Sequence, residues 1–201
     1  MKCAAHLAVF WLLTFAASAN AQSSRVSLSA GRMNYDAAGD RYRSMVRISA
    51  DRMVSSSVRV GLGAAWVDVG KYAGDPALLT VPADSGDEKL WRVFATLNVS
   101  AEDALRGSNV PVIDRLAPWA EAGIGVAHSA GRADIAVPPD DPFYAPLDDT
   151  STGASIGGGV GVDARITRNF GLRAGMVIWQ DFIYGNSLSD LDQFLGLAVS
   201  F

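Results

Sequence analysis

The sequence predicts an all-β fold: a closed, antiparallel, up-and-down transmembrane β-barrel of about eight strands, preceded by a signal peptide. Three observations carry the prediction. Eight segments alternate apolar and polar residues with a period of two, as a strand does when its successive side chains point to opposite faces. The polar side of those segments bears full charges of both signs. The connections tend to alternate between short turns and long loops, as they do when one end of a barrel faces the periplasm and the other the exterior.

The N-terminus is read first, because it is not expected to belong to the fold. Lys2 supplies a positive start, and Ala4 to Phe15 form an apolar run too short for a spanning helix of about 20 residues. Ala19 and Ala21 give the small-x-small pattern of a signal-peptidase site, so cleavage is expected after Ala21. Residues 1–21 are then a signal peptide and 22–201 the barrel domain. Cys3 is the only cysteine and lies far upstream of that site, which excludes a lipid-anchored cysteine and a disulfide scaffold. Loss of Lys2 takes the formal charge from −4 to −5, an acidity that speaks against a nucleic-acid partner. About 180 residues remain, enough for one domain, with no second apolar run long enough for a membrane helix.

The strands follow in order. The first, Ser24–Tyr35, sets Val26, Leu28 and Ala30 on one face. The second, Tyr42–Asp51, sets Tyr42, Val46 and Ile48 against Arg43 and Arg47. The third, Ser57–Val69, alternates Val58, Val60, Leu62, Ala64 and Trp66 with Arg59, Gly61 and Gly63. In the fourth, Leu90–Ser100, Trp91, Val93, Ala95, Leu97 and Val99 oppose Arg92, Thr96 and Asn98. The fifth, Ala117–Ser129, places Ala120, Ala122, Ile124 and Val126 opposite Glu121, Gly123 and Gly125. The sixth, Gly153–Ile166, places Ile156, Val160, Val162 and Ala164 opposite glycines, Asp163 and Arg165. The seventh, Phe170–Gln180, has Leu172, Ala174, Met176 and Ile178 facing away from Arg173 and Gly175. The eighth, Asp190–Phe201, has Leu195, Leu197, Val199 and Phe201 facing away from Asp192, Gly196 and Ser200. Arg52–Ser56 and Thr167–Asn169 read as short periplasmic turns. Gly70–Lys89, Gly131–Thr152 and Asp181–Ser189 read as long outer loops rich in Gly, Pro, Asp and Ser. Asp36–Arg41 is short for an outer loop, and Glu102–Leu116 is long for an inner turn and has room for a helical turn.

A soluble sandwich also alternates, so the polar face decides. Arg47, Arg59, Arg92, Glu121, Asp163, Arg165, Arg173 and Asp192 would converge in a narrow lumen, where opposite charges pair, with neighbouring glycines leaving room for the arginines. Trp66, Trp91, Trp119, Trp179 and Phe201 fall near strand ends, as expected of two interfacial aromatic girdles. The terminal pattern Leu197, Val199, Phe201 looks like the signal that presents outer-membrane barrels to their assembly machinery.

The segments APWAEAGIGVAHS, GASIGGGVGVDARITRNFGLRAGMVIW and DQFLGLAVSF together resemble the small outer-membrane β-barrel family that includes the OmpA barrel and its OmpX-like and opacity-type relatives. The resemblance spans essentially the whole mature chain through diffuse motifs. It implies the bacterial outer membrane as location, outer-membrane lipid and lipopolysaccharide as surroundings, and the barrel-assembly machinery as a partner during biogenesis. The chain stops at Phe201, so the peptidoglycan-binding domain of some relatives is not expected. A monomer is expected, without cofactor or metal.

Lipid A-modifying enzymes of this size need a nucleophilic Ser and a His base on one face. The mature chain has one histidine, His128, directly before Ser129, and strand neighbours face opposite ways. No catalytic residue is therefore assigned. GVGVDA at Gly159–Ala164 matches part of a dinucleotide fingerprint, but that motif works only between a strand and a helix N-terminus, and this segment reads as strand throughout. The loop Ala133–Thr152 carries Asp134, Asp140, Asp141, Asp148 and Asp149 without the ligand spacing of a calcium loop, and reads as solvated; Phe143 and Tyr144 could meet a partner at its tip. The favoured expectation is a structural barrel with a charge-plugged lumen and a role in envelope integrity or adhesion. A narrow porin-like pore is the alternative, and a lipid A-modifying enzyme comes third.

Overall fold

Eight strands close into one barrel in chain order, with every neighbour antiparallel and the last strand paired to the first. They are β1 (Ser24–Tyr35), β2 (Arg41–Met53), β3 (Val58–Lys71), β4 (Asp87–Ser100), β5 (Leu116–Ala130), β6 (Thr150–Arg165), β7 (Phe170–Asp181) and β8 (Leu188–Ser200). The computed structural model describes residues 24–35, 41–71, 87–101, 113–130, 150–183 and 187–201. The expected signal peptide, Cys3 and the acidic stretch 133–149 with Phe143 and Tyr144 lie outside the described residues.

Closure leaves no strand edge, so the ladder satisfies the backbone polar groups that a hydrocarbon environment would otherwise strand. The lower end carries the tight turns and both strand termini. At Thr167 the backbone N–H donates to the Phe170 carbonyl (2.9 Å), and its hydroxyl accepts from the Phe170 N–H (3.1 Å). The seam is locked where the Phe201 N–H donates to the Ser24 carbonyl (2.9 Å) and the Asn169 side chain to the Ser200 carbonyl (2.9 Å).

Several strands run further than the hydropathy pattern indicates. β4 begins at Asp87 and β6 at Thr150, because ladder pairing continues above the belt where alternation has faded. The connection before β5 ends in a short 3-10 turn, Ile113–Arg115.

The two faces of the wall differ sharply. Outward-facing apolar side chains stay exposed, with Leu28 at 57%, Ile124 at 68% and Leu195 at 60%. Inward-facing Arg47, Arg92, Glu121, Arg173 and Asp192 are buried. A sandwich would show the reverse, and so continuous an apolar exterior is not stable in water. The core of this molecule is therefore the polar-lined interior, and its apolar face is the one turned to lipid.

Candidate functional site: a filled lumen

The interior is built on the inward parity of all eight strands. Low in the barrel, Arg25 of β1 bonds Asp51 of β2 (2.9 Å) and also Asp163 of β6, while Arg59 of β3 reaches Asp51 (3.2 Å). Arg173 of β7 spans Asp163 (3.3 Å) and Glu121 of β5 (3.5 Å). Glu121 also takes Arg47 of β2 at 2.5 Å. Near the top, Arg92 of β4 meets three carboxylates, Asp181 (2.6 Å), Asp190 (2.6 Å) and Asp192 (3.3 Å), and Ser155 donates to Asp181. Charges out of water hold only when paired and hydrogen-bonded; Arg25–Asp163, Arg47–Glu121 and the Arg92 pairs bridge strands across the lumen, while Arg25–Asp51, Arg59–Asp51 and Arg173–Asp163 join neighbours.

Arginine faces are used as well as their edges. The Arg173 guanidinium lies 4.0 Å from the Trp119 ring centre, and Trp119 stacks on Phe194 (6.2 Å, 18°). Arg47 lies against both Phe194 (4.8 Å) and Phe94 (4.7 Å). Phe94 meets Trp179 at 5.0 Å, and Arg92 sits 4.8 Å from the Trp179 ring. Cations and rings thus alternate from the Arg173 level up to Arg92, an arrangement worth most where both partners are desolvated. Above it, Met33, Met45, Val67, Leu90 and Ile183 are essentially unexposed and close the upper lumen with apolar packing.

This corrects two sequence expectations. Trp119 (3% exposed) and Trp179 (0%) are not girdle residues but lumen residues. Each shares the inward parity of a charged neighbour, Glu121 and Arg173 respectively, so position near a strand end misled where parity would have placed them. Gly63, Gly123, Gly157, Gly161 and Gly175 make room for rings rather than for arginines. A Cβ on Gly157 would lie 2.5 Å from the Trp179 ring, one on Gly175 2.5 Å from Trp119, and one on Gly63 2.3 Å from Phe94.

Arg165 lies at the lower edge of the network, lining one cavity with Arg25, Arg59 and Asp163. As the last residue of β6 it is at the lower mouth, where it donates to the Asp114 carbonyl (3.2 Å). Arg25, Asp51, Asp181 and Asp190 belong to the network though sequence reasoning did not name them; the period-two parity of β1, β2, β7 and β8 carries that signal.

On the outer wall, Trp66, Trp91, His128 and Thr152 fall in one cross-strand row, with the two indoles 5.9 Å apart and His128 Nδ1 2.7 Å from Thr152 Oγ1. Ser129 is buried on the opposite face, so the imidazole cannot serve its hydroxyl. Leu197, Val199 and Phe201 face outward at the lower end of β8. Gly159–Ala164 lies within β6 and precedes no helix.

Residues 7–200 match the family described as outer membrane protein beta-barrel domain. A search of curated protein sequences gives no match. Among solved structures, neisserial surface protein A is similar at 16% identity with a TM-score of 0.57, over 90% of this chain and 98% of that one. The Yersinia pestis attachment invasion locus protein Ail aligns at 14% identity and a TM-score of 0.46, over 90% and 97%. The N-terminal barrel of Pseudomonas aeruginosa OprF aligns at 20% and 0.43, over 90% and 100%. Because the family model matches residues 7–200, nearly the whole chain, the chain belongs to the outer membrane protein beta-barrel domain family.

Proposed function

We propose that this protein is a non-conducting surface barrel of the bacterial outer membrane, serving envelope integrity or adhesion through its outer loops and outer wall. The observation that supports this is the lumen. Ion pairs, stacked rings and an apolar upper layer occupy the middle and upper interior that a pore would keep wet, above a lower mouth of about 570 Å³ lined by Arg25, Arg59 and Asp163. Planar-bilayer recording of the purified barrel tests it. A flat baseline is expected, and steady large single-channel currents would overturn the proposal.

In this reading the chain is exported with cleavage after Ala21, two residues before β1 opens at Ser24, and is presented for assembly by Leu197, Val199 and Phe201. Outer-membrane lipid and lipopolysaccharide surround it, and it acts without catalysis. His128→Ala is expected to leave lipid A structure in cells unchanged; an altered lipid A pattern would restore the enzyme alternative.

A further inference from the structure

At the β1–β8 seam the outer wall carries polar side chains amid its apolar ones, with Ser44 of β2 beside Arg32. Arg32 and Gln193, paired across the β1–β8 seam, both project outward. Arg32 is exposed, and its guanidinium lies 4.9 Å from the ring of Tyr42, an exposed outward residue near the upper end of β2. Among the described residues no carboxylate forms an ion pair with it. A cation on the lipid side of a barrel is costly at mid-depth and tolerable where its head reaches the interface, and Arg32 leans toward Tyr42 at the upper end of β2.

Beside Arg32 lies a shallow depression of about 530 Å³ across β1, β8, β7 and β6. Its course follows the strand register. One outward row runs from Arg32 through Gln193 to Val160, and the next from Ala30 through Ala174 to Val162. In that second row the exposed Leu195 stands between Ala30 and Ala174, whose small side chains leave space on either side of it. Arg32 is near the upper end of β1, whereas Val160 and Val162 lie in the lower half of β6. Because barrel strands are tilted, a row across them descends obliquely through the bilayer. The depression therefore runs from Arg32 near the upper end of β1 down to apolar side chains in the lower half of β6.

We infer that this groove holds one phosphorylated lipid of the outer leaflet, its phosphate on Arg32 and an acyl chain packed beside Leu195 along the Ala30–Leu195–Ala174–Val162 row. Guanidinium–phosphate pairing supplies the polar contact, and Gln193 offers an amide beside it. The inference rests on the outer-membrane reading above, and its test keeps the two apart.

The full mature barrel is reconstituted in phosphatidylcholine nanodiscs doped with diphosphoryl lipid A, and insertion is verified by heat-modifiable migration. Lipid retained on the released protein is then counted by native mass spectrometry. Wild type is expected to retain one lipid A. Arg32→Gln should lower occupancy about fivefold, the worth of one cation near an anionic surface. Ala174→Phe fills the groove without touching Arg32 and should lower retention of both phosphorylated and dephosphorylated lipid A. Millimolar inorganic phosphate should displace nothing. Equal retention by wild type and Arg32→Gln overturns the assignment, as does displacement by free phosphate. A dimer that Ala174→Phe abolishes would give the face to a second copy and overturn it too. Failure to insert would instead remove the outer-membrane reading itself.

Discussion

Replacing Arg92 by Met would remove the only cation seen bonding Asp181, Asp190 and Asp192 among the described residues. Arg92 is 1% exposed, and Asp181, Asp190 and Asp192 are all buried, at 0–3%. Breaking a buried pair from one side costs about 3–5 kcal/mol, and here one substitution strands three carboxylates. Loss of the guanidinium over Trp179 adds to the penalty, partly offset by sulfur–aromatic contact from the new Met. The expected loss is thus at the upper end, about 4–5 kcal/mol. Urea titration of the vesicle-embedded barrel, read by heat-modifiable migration, measures it. A companion variant, Arg92→Met with Asp190→Asn and Asp192→Asn, should recover most of the loss, because neutral amides carry no stranded charge and Asp181 keeps Ser155. If Arg92→Met alone fell within about 1 kcal/mol of wild type, the carboxylates would be hydrated, as in an open lumen, and the filled-interior account would fail.

Three further outcomes follow from the same geometry. Gly157→Ala sets a methyl against the Trp179 ring and should cost about 1–3 kcal/mol, whereas Gly158→Ala, whose Cβ would meet only the Glu121 carbonyl at 3.6 Å, should stay within about 0.5 kcal/mol; equal effects in the urea titration would mean that the ring does not rest on Gly157. In single-tryptophan variants, lipids brominated near the headgroup should quench Trp66 and Trp91 and spare Trp119 and Trp179. Quenching of Trp179 would return it to the girdle. Deleting Phe201 should lower the folded fraction in cells while leaving the urea midpoint of refolded barrel nearly unchanged, and an unaltered folded fraction would remove the assembly role of the terminus.

The wall of this molecule was legible in its sequence because hydrocarbon imposes a strict rule. Val93, Ala95 and Leu97 must alternate with Arg92, Phe94 and Thr96, and a one-residue slip would put a charge in lipid. Strand ends were less legible, since above the belt the backbone pairs without needing alternation, as at Asp87 and Thr150. The interior was half legible. Charges announced themselves, but Trp119 and Trp179 did not, because an indole suits both an interface and a packed lumen, and only its parity with Glu121 or Arg173 separates the two. Stacking between Arg47 and two phenylalanines from β4 and β8 was beyond the sequence, since it depends on which strands face each other across the closed barrel.

The central claim is that hydrocarbon solvates the apolar side of these strands while the polar side packs against itself. A nitroxide scan of consecutive positions from Leu90 to Ser100 in β4, in lipid bilayers, tests it directly through collision with dissolved oxygen. The account predicts high oxygen access at Trp91, Val93, Ala95, Leu97 and Val99 and low access at the positions between them. Uniformly low access, or alternation of the opposite phase, would contradict it.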